Sequence, residues 1–420
     1  MQRFGTKYAS NVSMTTLSPP QTAAPLASGG ARQRLDSVDA LRGAACLWVM
    51  LHHTFGYQSL AFGRVAVPSG TWHWPLAALS AFANIGWLGV NLFLVLSGFC
   101  LFYPLVARAE MRDIRLNLGQ FVRRRLRRIL PPYYAALLLL SILETVIFHH
   151  DFGVWSSQVA FRSAWDLLLH LLMLHNLTAG TLASVSPAFW SLALECQLYI
   201  LFPILVWSTA RYGLKSILVG TLTVAVVWEL LCWRHLGFSL WWTPQFAVYY
   251  HALPGRAFEF AAGMAAAAHV ARPRAGQVRA AWALVLLPLL PALYFVVKVS
   301  RFGPPGDLLW GVIFASLLVL LCRIPNIHFE RHLLLKGFVW LGGISYSVYL
   351  IHQPLIWIIS VHRLHCPPTS LGYYAAGLLR LPLLIGLGYL FHLAFERRFM
   401  PGGPKTERQA EIAAAVSPAP

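Results

Sequence analysis

Of 420 residues, 57% are hydrophobic and only 11% are charged, a balance that excludes an ordinary soluble enzyme. The formal net charge is +18, yet the basic residues sit in short loops between apolar runs and lack the interleaved aromatics that base stacking requires, so nucleic acid is excluded as a partner. The 6 cysteines show no CxxC or CxxxH spacing, which supports neither a disulfide framework nor a zinc site, and no metal is expected.

Residues 1–36 are polar and rich in Ser, Thr, Pro and Ala, and read as a disordered N-terminal tail ahead of an uncleaved first helix. Within 37–396, apolar runs recur near 38–57, 84–106, 130–148, 189–209, 216–234, 251–271, 280–298, 307–322, 339–360 and 371–395. Each approaches the roughly 20 residues that cross a bilayer. The expected fold is all-α, a polytopic integral membrane protein of about ten transmembrane helices. A further run, 164–178, holds Asp166, His170 and His175 and is short for a span, so it fits a re-entrant or interfacial segment better. With the N-terminus inside, the inner segments carry 24 Lys and Arg residues against six in the outer loops and their borders. That bias predicts both termini in the cytoplasm, with 397–420 as a cytoplasmic tail, and counting 164–178 as a span would destroy it.

The first run, VDALRGAACLWVMLHHTFGY, carries Asp39, Arg42, His52 and His53. Eleven residues separate Arg42 from His53. At roughly 100° per residue both lie on one helix face, about 16 Å apart along the axis, while His52 points elsewhere. Ionisable groups inside a span are costly and are kept mainly where they face a protein interior or cavity; a satisfied core histidine beside an anchoring arginine is the plainer alternative. In GVNLFLVLSGFCLF, Ser97-Gly98 lets another backbone approach closely and Asn91 needs a partner. RRRLRRILPPYY presents Arg124, Arg125 and Arg128 as i,i+4 and i,i+3 neighbours on a helix, a fork of guanidinium groups suited to phosphate, or alternatively a topology signal. WSLALECQLY puts Glu195 inside a span with Tyr199 on the same face. Arg256 and Glu259 stand i,i+3 and read most simply as an intrahelical ion pair. ISYSVYLIHQP aligns Ser345, Tyr349 and His352 at i, i+4 and i+7, a polar stripe that faces a cavity more often than lipid.

In this order the motifs DALRG with His53 eleven residues after Arg42, GVNLFLVLSGF, RRRLRRILP, WSLALE and ISYSVYLIHQP resemble acyltransferase family 3, the ten-helix membrane O-acyltransferases, over roughly residues 34–396. The resemblance implies a bacterial inner-membrane enzyme. It would move an acyl group, usually acetyl, from cytoplasmic acyl-CoA to a hydroxyl of an extracytoplasmic or lipid-linked glycan, with no permanently bound cofactor. It implies that Arg42 and His53 are the essential first-helix pair, that Arg125 and Arg128 form the basic RxxR motif beside Arg124, and that Glu195 is the motif acid. Asp39, Ser345, Tyr349, His352, Arg256 and Glu259 are expected to line the cavity. Asn91 stands where the family commonly has aspartate and Ala40 where glycine is common. The esterase-like domain appended to many relatives is not expected. The competing reading is a secondary transporter or exporter of lipid-linked glycan, with His and Glu relaying protons; the chain shows no internal repeat to support it.

Overall fold

The computed structural model describes residues 28–56, 73–151, 161, 163–236, 244–272, 279, 281–282, 285–286, 289, 304–323, 332–361 and 371–400. Among these all the regular secondary structure is helical. The helices are α1 (Ser28–Leu51), α2 (His73–Asn84), α3 (Leu88–Val106), α4 (Leu118–Asp151), α5 (Ala164–Leu171) and α6 (Trp190–Tyr212). They are followed by α7 (Leu214–Leu236), α8 (Pro244–Tyr250), α9 (Leu253–Ala271), α10 (Pro304–Leu321), α11 (Leu333–Val361) and α12 (Leu371–Phe391).

Six of the described helical stretches are long and apolar enough to cross a membrane: 88–106, 118–143, 187–212, 214–235, 333–359 and 371–399. Leu138, Ile142, Ile200, Ile204, Val219 and Leu379 stand exposed on their faces, as lipid-facing side chains do. The other expected spans differ for physical reasons. Helices α1 and α9 carry charges within their apolar runs, and α10 is apolar only over Asp307–Leu321. Most of 280–298 lies outside the described residues, as do 1–27 and 401–420. Residues 28–36, expected in the tail, are the first turns of α1. The expected loop of arginines is helical as well, because α4 starts at Leu118 and its 34 residues reach about 50 Å, well beyond a hydrocarbon core of about 30 Å. The segment 164–178 is not a span. Its helix has eight residues and turns back at Met173, whose φ is 57°. Tyr133 and Tyr134, midway along α4, donate hydrogen bonds to the carbonyls of His170 and Leu171, so the segment packs against the middle of α4.

Two glycine-mediated crossings organise the core. Helix α1 packs most extensively on α11, and α3 on α9. At the first crossing Gly43 lies against the Phe338 carbonyl and Gly342 against that of Asp39; at the second, Gly98 lies against the Phe260 carbonyl and Gly263 against that of Val95. A side chain at any of these four would collide with backbone, which is how small residues let membrane helices approach. The adjacent pair Gly342-Gly343 offers a direct test, since a Cβ at Gly343 meets open space. Gly342→Ala is expected to destabilise the protein by about 1–3 kcal/mol through overpacking. Gly343→Ala is expected to be neutral or slightly stabilising, because Ala favours helix over Gly. Thermal melting in detergent checks both, and equal melting points would remove the close crossing.

Candidate active site

One cavity of about 120 Å³ opens where α1, α3, α4, α6 and α11 meet. Its walls carry Arg42, Arg125, Arg128 and Glu195, the hydroxyls of Ser97, Ser191, Tyr199, Ser345, Tyr346 and Tyr349, and Cys100. Each helix contributes through its own spacing. On α6, Ser191, Glu195 and Tyr199 recur every four residues and share one face. On α4, Arg125 and Arg128 are i,i+3 neighbours that line one wall, whereas Arg124, about 100° round the helix from Arg125, is exposed and lines none of it.

Glu195 is tied down from two sides. Tyr199 donates its hydroxyl to Oε1 at 2.5 Å and Ser97 donates at 3.4 Å. The Arg125 guanidinium lies 5.8 Å from the Tyr199 ring centre and 6.0 Å from that of Phe121, a cation–π geometry. Arg42 donates to Asp39 Oδ1 at 3.1 Å and to Cys100 Sγ at 3.0 Å. Asp39 itself is part-exposed and outside the cavity, serving as the partner of Arg42. Three guanidinium groups against one carboxylate leave the cavity net positive, which suits an anionic ligand.

The expected stripe on α11 divides. Ser345 and Tyr349 line the cavity, and the Tyr349 hydroxyl is 2.7 Å from that of Ser191. His352 does not line it. The His352 ring lies 5.3 Å from the Tyr349 ring and 4.9 Å from that of His53, and His352 Nε2 is 2.7 Å from His53 Nδ1. His53 sits in a π-helical turn, His52–Gly56, that ends α1; such turns widen the helix and recur at functional sites. Two ring contacts therefore join the cavity wall to His53, which touches neither Arg42 nor the cavity directly. His52 is tied elsewhere, with Nδ1 3.0 Å from the Ala83 carbonyl of α2.

Arg256 and Glu259 belong to a separate buried centre and do not line this cavity. Arg256 Nε is 3.3 Å from Glu259 Oε2, but the shorter ion pair runs from Nη1 to Asp307 Oδ2 of α10, at 2.6 Å. Asn91 bridges the two: its amide donates to Asp307 Oδ1 at 2.7 Å, and its carbonyl accepts from Arg256 Nη2 at 3.2 Å. The Asn91 amide supplies the donor that Asp307 Oδ1 accepts, which an ionised aspartate at 91 could not do. Ser191 and Asp307 were missed in the sequence. Ser191 is signalled by its four-residue spacing from Glu195, and Asp307 by being a lone acid at the head of an apolar run.

A membrane helical bundle around a buried, cationic, hydroxyl-rich cavity defines the class. The acyltransferase domain family matches residues 35–394, and the chain belongs to that family. Similar curated proteins include the peptidoglycan O-acetyltransferase OatA of Listeria monocytogenes, 25% identical over 77% of this chain and 50% of its own length. The putative peptidoglycan O-acetyltransferase YrhL of Bacillus subtilis is 28% identical over 65% of this chain and 45% of its own. The putative acetyltransferase ORF330 of Acidianus two-tailed virus is 30% identical over 39% of each chain. The matches thus span half or less of these relatives. No solved structure matches significantly.

Proposed function

We propose that this chain is a membrane O-acyltransferase that moves an acyl group, in the first instance acetyl, from cytoplasmic acyl-CoA to a hydroxyl of an extracytoplasmic or lipid-linked glycan. The observation that carries the reading is a cavity in which Arg125, Arg128 and Arg42 converge with Glu195, and whose Tyr349 wall continues through His352 to His53. The glycan acceptor is supported by the relatives named as peptidoglycan O-acetyltransferases. The cytoplasmic donor is supported by the eight basic residues in 108–128, the composition the positive-inside rule expects of an inner-side segment, which include Arg125 and Arg128.

A thioester is already activated, so transfer needs a base for the alcohol and a donor to the carbonyl oxygen as it becomes anionic. In this reading His53 takes the acceptor's hydroxyl proton as its oxygen bonds to the acyl carbon, or first carries the acyl group itself. The carbon–sulfur bond breaks, and the proton passes to the departing thiolate. The arginines hold the donor, whose phosphates match planar guanidinium groups bidentately and match lysine only as a point charge. Arg125→Lys and Arg128→Lys are therefore expected to raise the KM for acetyl-CoA roughly tenfold each, the equivalent of about 1.4 kcal/mol, with insertion and charge preserved. Donor saturation in inverted vesicles measures this. Unchanged KM in both variants would take the arginines out of the donor site, and transfer of a glycan without acylation would favour the exporter reading instead.

A further inference from the structure

The hydrogen bonds around His352 determine which nitrogen of His53 is available. His352 Nδ1 lies 2.7 Å from the Tyr349 backbone carbonyl. A carbonyl only accepts, so this nitrogen carries the hydrogen, and in neutral imidazole the other nitrogen is then bare. His352 Nε2 must therefore accept, and the hydrogen in its 2.7 Å contact with His53 belongs to His53 Nδ1. That leaves the His53 lone pair on Nε2, which makes no hydrogen bond among the described residues. Free histidine favours the opposite tautomer, with the hydrogen on Nε2. The pair of contacts overrides that preference, because the bond made by one ring nitrogen sets the state of the other.

We propose that His352 is the positioning residue of this enzyme, relaying the Tyr349 carbonyl through its ring so that His53 presents a bare Nε2 to the reaction. The assignment rests on the acyltransferase reading above and deepens it. It holds for both roles open to His53: Nε2 takes the acceptor's hydroxyl proton, or it bonds to the acyl carbon as the carbon–sulfur bond breaks. In the base role His53 becomes an imidazolium whose Nδ1–H still donates to His352, and Nε2 returns its proton to the thiolate.

Two amide replacements separate this role from mere packing. Glutamine at 352 ends near the former Nε2 position and can accept from His53 Nδ1–H. Asparagine ends near the former Nδ1, so it keeps the bond to the Tyr349 carbonyl and loses His53. With radiolabelled acetyl-CoA in inverted vesicles that retain their own glycan lipids, His352→Gln is expected to hold kcat within about tenfold of wild type. His352→Asn is expected to lose on the order of 10²-fold, with the donor KM of both unchanged. Equal kcat in the two variants at equal accumulation would overturn the assignment, as would a loss confined to KM. If wild-type vesicles transfer no label, the acyltransferase reading and this inference fall together; if wild type transfers and both variants match it, only His352 is reassigned.

Discussion

His53→Ala is expected to abolish acyl transfer while the protein accumulates in the membrane near its wild-type level. Losing a positioned base costs about 10²–10⁴-fold, and losing an acyl carrier costs more, so turnover falls by at least about 10²-fold on either route. The structural cost is smaller. Among the described residues His53 makes one hydrogen bond, to His352, and stranding that partner costs about 1–3 kcal/mol. The neighbouring His52 gives the opposite pattern, because its ring is committed to the Ala83 carbonyl and holds the end of α1 against α2. His52→Ala is expected to lower accumulation and melting temperature while keeping most of the turnover per folded molecule. Measured together, activity per molecule and membrane abundance separate the two histidines. An inactive but abundant His52 variant beside an active His53 variant would show that the wrong histidine has been assigned.

Periodicity made the components of the site legible, but not their pairings. Two four-residue spacings read from the sequence survive, Glu195 with Tyr199 on α6 and Ser345 with Tyr349 on α11, while that of Arg124 with Arg128 does not. What one helix cannot reveal is which neighbour its polar face meets. Arg42 and His53 share a face, yet Arg42 turns to Cys100 and the cavity, while His53, on its π-helical turn, pairs with His352 some 300 residues away in the chain. A π turn has no composition signature and is stabilised by its packing, so it was invisible. His352 was read as the third member of a cavity stripe, but it sits one turn beyond Tyr349 and ends up behind the wall. Arg124 shows the limit of charge counting, since five arginines within six positions cannot all face inward on a helix and only Arg125 and Arg128 do.

The membrane character and one of the two glycine crossings were more accessible. Both are written in single-residue properties, apolar run length and the absence of a side chain. Gly98 was expected to admit another backbone, and the Phe260 carbonyl occupies that space. Arg256 and Glu259 are legible in the sequence as an ion pair within an apolar run. What the sequence does not reveal is that α9 is surrounded by α3, α7 and α10, which is why it can hold charges at all.

That burial makes Arg256→Met the substitution with the largest expected effect on stability. Arg256 is 2% exposed and Glu259 0%, and the guanidinium is the cation that both Glu259 and Asp307 face. Removing it leaves two carboxylates buried without a counter-ion, together with an Asn91 carbonyl that has lost its donor. Breaking a buried pair from one side costs about 3–5 kcal/mol, a large share of what a folded domain has to lose. Deleting the whole network is a different experiment. Replacing a buried ionic cluster by apolar residues of similar volume is often neutral or stabilising, because no charge remains to be desolvated. Arg256→Met combined with Glu259→Leu and Asp307→Leu is therefore expected to recover most of the melting temperature lost by Arg256→Met alone. Because the cavity with Arg42, Arg125 and Glu195 is separate from this centre, the triple variant is also expected to retain acyl transfer. A single variant as stable as wild type would show that the charges are not interdependent. A stable triple variant without activity would instead move Arg256 and its carboxylates from scaffold to chemistry.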